Sequence, residues 1–205
     1  MSVTLTIDHR VLGKQVVNSL ASLNNATQIR KSLFIGNQNI DQVFEKMKKE
    51  MIKDFLMHPV TREISAGPSS SNISGTLGGY GNLFSFIGFN KGDDPISPII
   101  SLLNQSHMIV SRFNTRGFLR ITIELPSTKK IFSATPMPWA TGLSWAQRIE
   151  MGISGYSKYL ARKDKGRSGG GIQAEETLFT GKFQNVKYIS NFVNIWEKKF
   201  QKLFK

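Results

Sequence analysis

The sequence predicts an α+β fold, an antiparallel sheet with a long amphipathic helix and a C-terminal helix packed on one face. Three stretches carry that expectation. Over 39–57, Ile40, Val43, Phe44, Met47, Met51 and Phe55 fall on one helical stripe, with Lys46, Lys49, Glu50 and Lys53 outside it. Over 118–125 the period becomes two, Leu119, Ile121, Ile123 and Leu125 alternating with Phe118, Arg120, Thr122 and Glu124. Over 188–205 the helical period returns, Ile189, Phe192, Val193, Trp196, Phe200 and Leu203 lying opposite Lys198, Lys199, Lys202 and Lys205.

Taken in order, Val3, Leu5 and Ile7 alternate with small polar residues and predict a strand. Asp8 then caps a helix carrying Val16, Val17, Leu20 and Leu23. Asn39 is the expected N-cap of the long helix, and Pro59 its stop, because the residue before a proline avoids helical dihedrals. Residues 66–81 have the glycine and serine content of an exposed loop. The apolar run Leu83, Phe84, Phe86, Ile87 and Phe89 reads as a buried strand. Asp94-Pro95 then caps a helix of about ten residues bearing Ile96, Ile99, Ile100 and Leu103.

Between 108 and 134 a meander of three strands is expected, with turns at 114–117 and 127–130 and with Arg112 and Arg120 on its polar face. Trp145, Ile149 and Met151 alternate with Arg148 and Glu150, which favours a strand there; Trp145 serves as core or interface, and Arg148 and Glu150 as surface charge or as partners of a neighbouring subunit. Nothing marks a domain boundary, so 1–205 is read as a single domain with an N-terminal extension over 1–36 and a flexible basic loop over 161–172.

The chain has 205 residues, enough to bury a core, and is 40% hydrophobic, too apolar to stay unfolded. Its net charge of +13 favours a polyanionic neighbour, nucleic acid or an acidic surface. It has no cysteine, which excludes disulfides, thiolate metal sites and Cys nucleophiles. Its opening residues lack the pattern of an export signal, and no run approaches the roughly 18 apolar residues of a membrane span. A soluble protein made in a cytoplasm, with no membrane partner, is expected.

Signs of catalysis are missing from the motifs. His9, His58 and His107 have no partners at metal-ligand spacing. Gly75 to Gly81 match neither a dinucleotide fingerprint nor a phosphate loop, and Gly181-Lys182 is followed by Phe183 where a hydroxyl would hold magnesium. Asp93-Asp94 and Glu175-Glu176 are adjacent pairs, which rarely face one substrate. No catalytic residue, cofactor site or metal site is expected, and the protein is not read as an enzyme.

Basic residues gather towards the end, where 156–205 hold eleven against four acidic ones, a balance of +7. Lys158, Arg162, Lys163, Lys165 and Arg167 sit in or beside the glycine-rich loop and are the candidate contacts to a partner or to DNA. Such charges neutralise phosphates without reading bases. The three glycines 169–171 allow close backbone approach and tip the choice towards a neighbouring protein.

The motif Trp145-Ala-Gln-Arg-Ile-Glu-Met-Gly152, set between antiparallel strands and a C-terminal helix and preceded by a long amphipathic helix and a glycine-containing loop, resembles the tail-completion or neck protein family of tailed bacteriophages. The shared order covers about 39–205. The loop after the long helix departs from the family's Pro-Val-Asp-Thr-Gly-like pattern, and 88–138 resembles an insertion. The resemblance implies a structural virion protein forming a homo-oligomeric ring, a hexamer or dodecamer, at the head-to-tail junction. Adjacent connector or tail proteins would be its neighbours, with non-specific DNA in its channel, in the virion and in the host cytoplasm during assembly. Trp145, Arg148, Glu150 and Gly152 would be motif and interface residues. The alternative reading is a general basic nucleic-acid-binding protein.

Overall fold

A computed structural model describes residues 2–7, 26–77, 81–112, 119–151 and 186–203. The fold is α+β, with short antiparallel sheets among helices. The chain divides into two compact units, one from Met1–Lys53, Leu102–Ser127 and Val193–Lys205, the other from Asp54–Ser101 and Thr128–Phe192.

In the first unit β1 (Ser2–Ile7), β4 (His107–Arg112) and β5 (Leu119–Glu124) form a three-stranded sheet with β5 in the middle. Ile123 stands opposite Val3 on one side and Met108 on the other, and Ile121 opposite Leu5 and Val110. Ile121, Ile123, Met108 and Val110 are buried, while Arg120, Thr122 and Glu124 are half-buried on the polar face, the alternation that the period of two predicts. The third strand differs from expectation. It is β1, from the far end of the sequence, and not a strand after residue 127. Pro126, lacking an N–H, cannot extend the ladder, and α6 (Thr128–Ser133) forms where a turn was expected. Arg112 ends β4.

Helix α1 (Ala26–Ser32) buries Ile29 and is followed by the two-residue strands β2 (Phe34–Ile35) and β3 (Gln38–Asn39), which turn through Gly36 at φ 59°. Asn39 is the expected cap of α2 (Ile40–Met57). Its Oδ1 accepts from Asp41 N at 2.9 Å, and its Nδ2 donates to the carbonyls of Arg30, Lys31 and Leu33, closing α1 and opening α2 with one side chain. Phe44 is buried, its ring centroid 5.8 Å from that of Phe200 in α8 (Ile189–Lys202). Met47, expected in the core with Phe44, is only half-buried, so the apolar stripe of α2 is not fully covered along its whole length.

In the second unit α2 stops at Met57, His58 is extended, and Pro59 begins α3 (Pro59–Ser65). The proline therefore both ends one helix and starts the next. A turn of 3₁₀ helix (Gly67–Ser69) follows. The expected exposed connection at 66–81 is better anchored than its composition suggests, since Thr76 and Leu77 are buried. The expected strand at 83–89 is a helix, α4 (Leu83–Ile87). Asn82 caps it by accepting from Ser85 N at 2.9 Å, and Gly88 closes it in the left-handed conformation, φ 89°. Asp94 Oδ1 accepts from Ile96 N and Ser97 N, as a cap should, at the start of α5 (Ser97–Asn104).

Strands β6 (Pro136–Met137) and β7 (Ala140–Ser144) pair as a hairpin and lead into α7 (Trp145–Met151), where a strand was expected. Ser144 decides this. Its hydroxyl accepts from Gln147 N at 3.1 Å, so the chain turns helical at Trp145 and puts Trp145, Ala146 and Ile149 inside.

Candidate functional site

Trp145 to Met151 of the motif that resembles a known family form α7. Trp145 is 1% exposed and packs edge-on against Phe89, centroids 5.9 Å apart at 86°, and against Tyr188 at 6.4 Å. It is core within its own unit. The Trp145 amide donates to Thr135 O at 2.9 Å, and the buried hydroxyls of Thr135 and Ser144 meet at 2.7 Å, fixing the entry to the helix.

Glu150, one residue after Ile149 and half-buried, points the other way. Its carboxylate accepts the backbone N–H of Ser190 at 2.6 Å, and the Ser190 hydroxyl as well. Ser190 is the second residue of α8, so Glu150 satisfies one of the amides that every helix leaves unpaired at its start and places a negative charge at the positive end of the helix dipole. The motif thus binds the first turn of the C-terminal helix. Arg148 is half-buried on the same helix, and Met151, 62% exposed, ends it. Gly152 lies outside the described residues, as do Lys158, Arg162, Lys163, Lys165 and Arg167, the residues 8–23 expected to cap and form a helix, and the turn 114–117.

Two polar clusters in the second unit were not singled out from sequence. Glu63, fully buried on α3, accepts from Ser74 N at 2.6 Å and from Leu83 N at 2.7 Å. It ties the glycine- and serine-rich stretch to the start of α4, while Asn82 Nδ2 donates to the carbonyls of Pro68 and Ser70. Nearby, the hydroxyls of Thr61 and Tyr188 meet at 2.6 Å, and burial pushes the Tyr188 pKa well up. A charged residue inside an apolar helix face and a tyrosine ahead of a helix are weak sequence signals, legible only once the buried partners are known.

In the first unit an open groove of about 370 Å³ runs beside β4, lined among others by Arg30, Phe44, Lys48 and Ser106. Its cations carry partners: Arg30 pairs with Asp41, and Lys48 with Glu45 at 2.9 Å. Lys48 also lies over the Phe44 ring at 5.4 Å. The groove is therefore close to neutral, with Ile109 exposed on its strand. The clearest excess of positive charge is on α8, where Lys198, Lys199 and Lys202 are exposed and Lys199 Nζ stands 3.9 Å from the Trp196 ring centroid.

Among the described residues no group of three or more His, Cys, Asp or Glu is placed to hold a metal ion, and no helix is long and apolar enough to cross a membrane. Compared with protein-family models, with curated proteins and with solved structures, the chain has no match.

Proposed function

We propose that the chain is a non-enzymatic structural protein of a tailed bacteriophage that assembles into a ring at the head-to-tail junction, as a neck or tail-completion subunit. The observation that carries this reading is the Trp145–Gly152 motif together with its bond to the C-terminal helix. The residues that carry the resemblance occur in the order the family uses, and Glu150 joins them to Ser190 of α8, so the motif serves architecture. The charge of +13 suits either DNA passing through a channel or an acidic neighbouring ring.

The net charge also favours a second reading, a general nucleic-acid-binding protein. The two separate in solution. A ring subunit binds free DNA weakly until assembled, whereas a general binder holds it at moderate salt with a steep salt slope. Electron microscopy and analytical ultracentrifugation of the purified chain, with mass spectrometry of the particle, test the first reading. Rings of six or twelve copies and presence in particles support it; a strict monomer absent from particles overturns it. Changing Arg162, Lys163, Lys165 and Arg167 together to Ser should leave folding intact and impair assembly; normal assembly with altered genome release would place these charges in the channel.

A further inference from the structure

His58 is the single residue between α2 and α3, and it does two jobs there. Because Pro59 follows, its backbone is extended, at φ −62° and ψ 134°. Because Pro59 has no N–H, the first amide of α3 that needs an acceptor is that of Val60, and His58 Nδ1 accepts it at 3.3 Å. An imidazole nitrogen accepts a hydrogen bond only while it carries no proton. The cap therefore exists for the neutral ring alone, in the tautomer with its hydrogen on Nε2.

The ring is also packed. Its centroid is 4.8 Å from that of Tyr188, whose hydroxyl is bonded to Thr61 in the first turn of α3. The cap, the aromatic contact and the helix start are one cluster. Of its other polar groups, the neutral Tyr188 hydroxyl is engaged by Thr61, and the Glu63 carboxylate receives the amides of Ser74 and Leu83. Asp54, one turn back on α2, Arg62, one turn forward on α3, and Lys187, beside Tyr188, are exposed to solvent. Burial of the His58 ring favours its neutral form and lowers its pKa below 6.5.

We infer that the α2–α3 joint is an acid-sensitive switch, in which a proton taken up at His58 Nδ1 releases the Val60 amide and loosens the first turn of α3. The bond from Arg62 N to His58 O, 2.9 Å, does not involve the ring and survives, so the change is local to the helix start.

The test is a titration of the full-length chain by nuclear magnetic resonance between pH 7.5 and 5, following the His58 ring protons, the Val60 amide shift and the Val60 hydrogen-exchange protection corrected for its intrinsic pH dependence. Ring and amide should titrate with one midpoint below 6.5, and protection should fall about fivefold, the usual worth of an N-cap. His58→Asn, a cap that does not titrate, should keep Val60 protected throughout. His58→Phe, which keeps an aromatic ring on Tyr188 and has no acceptor, should leave Val60 poorly protected at both ends. Protection that stays flat in the wild type, or that falls equally in His58→Asn, overturns the inference. If the variants do not fold, the wild-type titration decides alone, since separate midpoints for ring and amide overturn it as well.

Discussion

Glu150 and Ser190 stand forty positions apart in the chain, and the carboxylate of the first receives both the backbone N–H and the hydroxyl of the second. A carboxylate at a helix start acts through charge-assisted hydrogen bonds and through the helix dipole together. Glu150→Ala should cost about 1–2 kcal/mol in denaturant unfolding, because Ser190 N loses its acceptor in a half-buried setting. Glu150→Gln keeps an acceptor of similar shape without the charge and should cost less. Equal stability of Glu150→Ala and wild type would show that this bond does not anchor α8.

Glu63 is the more demanding case. It is fully buried and its two oxygens serve two different amides, Ser74 N and Leu83 N, on segments that make no sheet or helix bond to α3. Glu63→Ala orphans both donors at once and should destabilise by roughly 3 kcal/mol or more. Glu63→Gln supplies one carbonyl for two amides and turns an NH₂ towards the other, so it should recover only part of that loss. Thermal unfolding of the two variants beside wild type is the measurement.

The elements that were legible in the sequence are those whose evidence is local and repeated. Helix α2 shows an uninterrupted helical period, a cap at Asn39 and a proline just past its end, and β5 shows a strict period of two. The run Leu83 to Ile87 has no period to read, being apolar at four of five positions; the signals that decide it, Asn82 and Gly88, lie at its edges and are ambiguous until the backbone is known. At α7 the exposed Met151 mimicked a strand alternation with Trp145 and Ile149, while Ser144 and Gln147, three apart, held the capping spacing that identifies a helix. The pairing of β1 with β5 joins residues more than a hundred positions apart, which no periodicity reports. The site residues divide likewise: the motif was visible as a string, but that Glu150 caps α8 is a tertiary fact.

The stripe of α2 gives a graded test of burial. Phe44 is 3% exposed and in contact with Phe200, whereas Met47, one turn on, is half-buried. Phe44→Ala should cost about 3–5 kcal/mol and Met47→Ala about 1 kcal/mol or less. A Phe44→Ala loss below about 1 kcal/mol would mean that this face is not core.

Gly88 closes α4 at φ +89°, and a Cβ there would lie 3.1 Å from Trp139 Cδ1. The Trp139 ring cannot readily move away, because its Nε1 donates to Ile87 O at 2.7 Å. Gly88→Ala should therefore combine about 1–2 kcal/mol of left-handed strain with loss of that hydrogen bond. Gly92, at φ +101° with open space around it, serves as the control in which strain acts alone. Gly88→Ala less stable than Gly92→Ala in equilibrium unfolding is the expected order, and equal losses would show that Trp139 yields freely.

Tyr188 couples the core to alkaline pH. Its ring is fully buried against Phe55 and His58, its hydroxyl meets that of Thr61, and burial raises its pKa above the ordinary value of 10.0. Above pH 10 the unfolded chain sheds this proton while the folded chain keeps it, so the unfolded state binds fewer protons and stability falls as pH rises. The contribution is complete below 10.0, the unfolded value, and is lost progressively above it. Tyr188→Phe removes that part of the slope, which is read as the difference between the two proteins' unfolding free energies from pH 9 to 11. At neutral pH the same variant strands the Thr61 hydroxyl and should cost about 1–3 kcal/mol, whereas adding Thr61→Val should cost less than the sum of the two single changes. A Tyr188→Phe protein whose stability still fell as steeply as wild type above pH 10 would assign the alkaline loss to other groups.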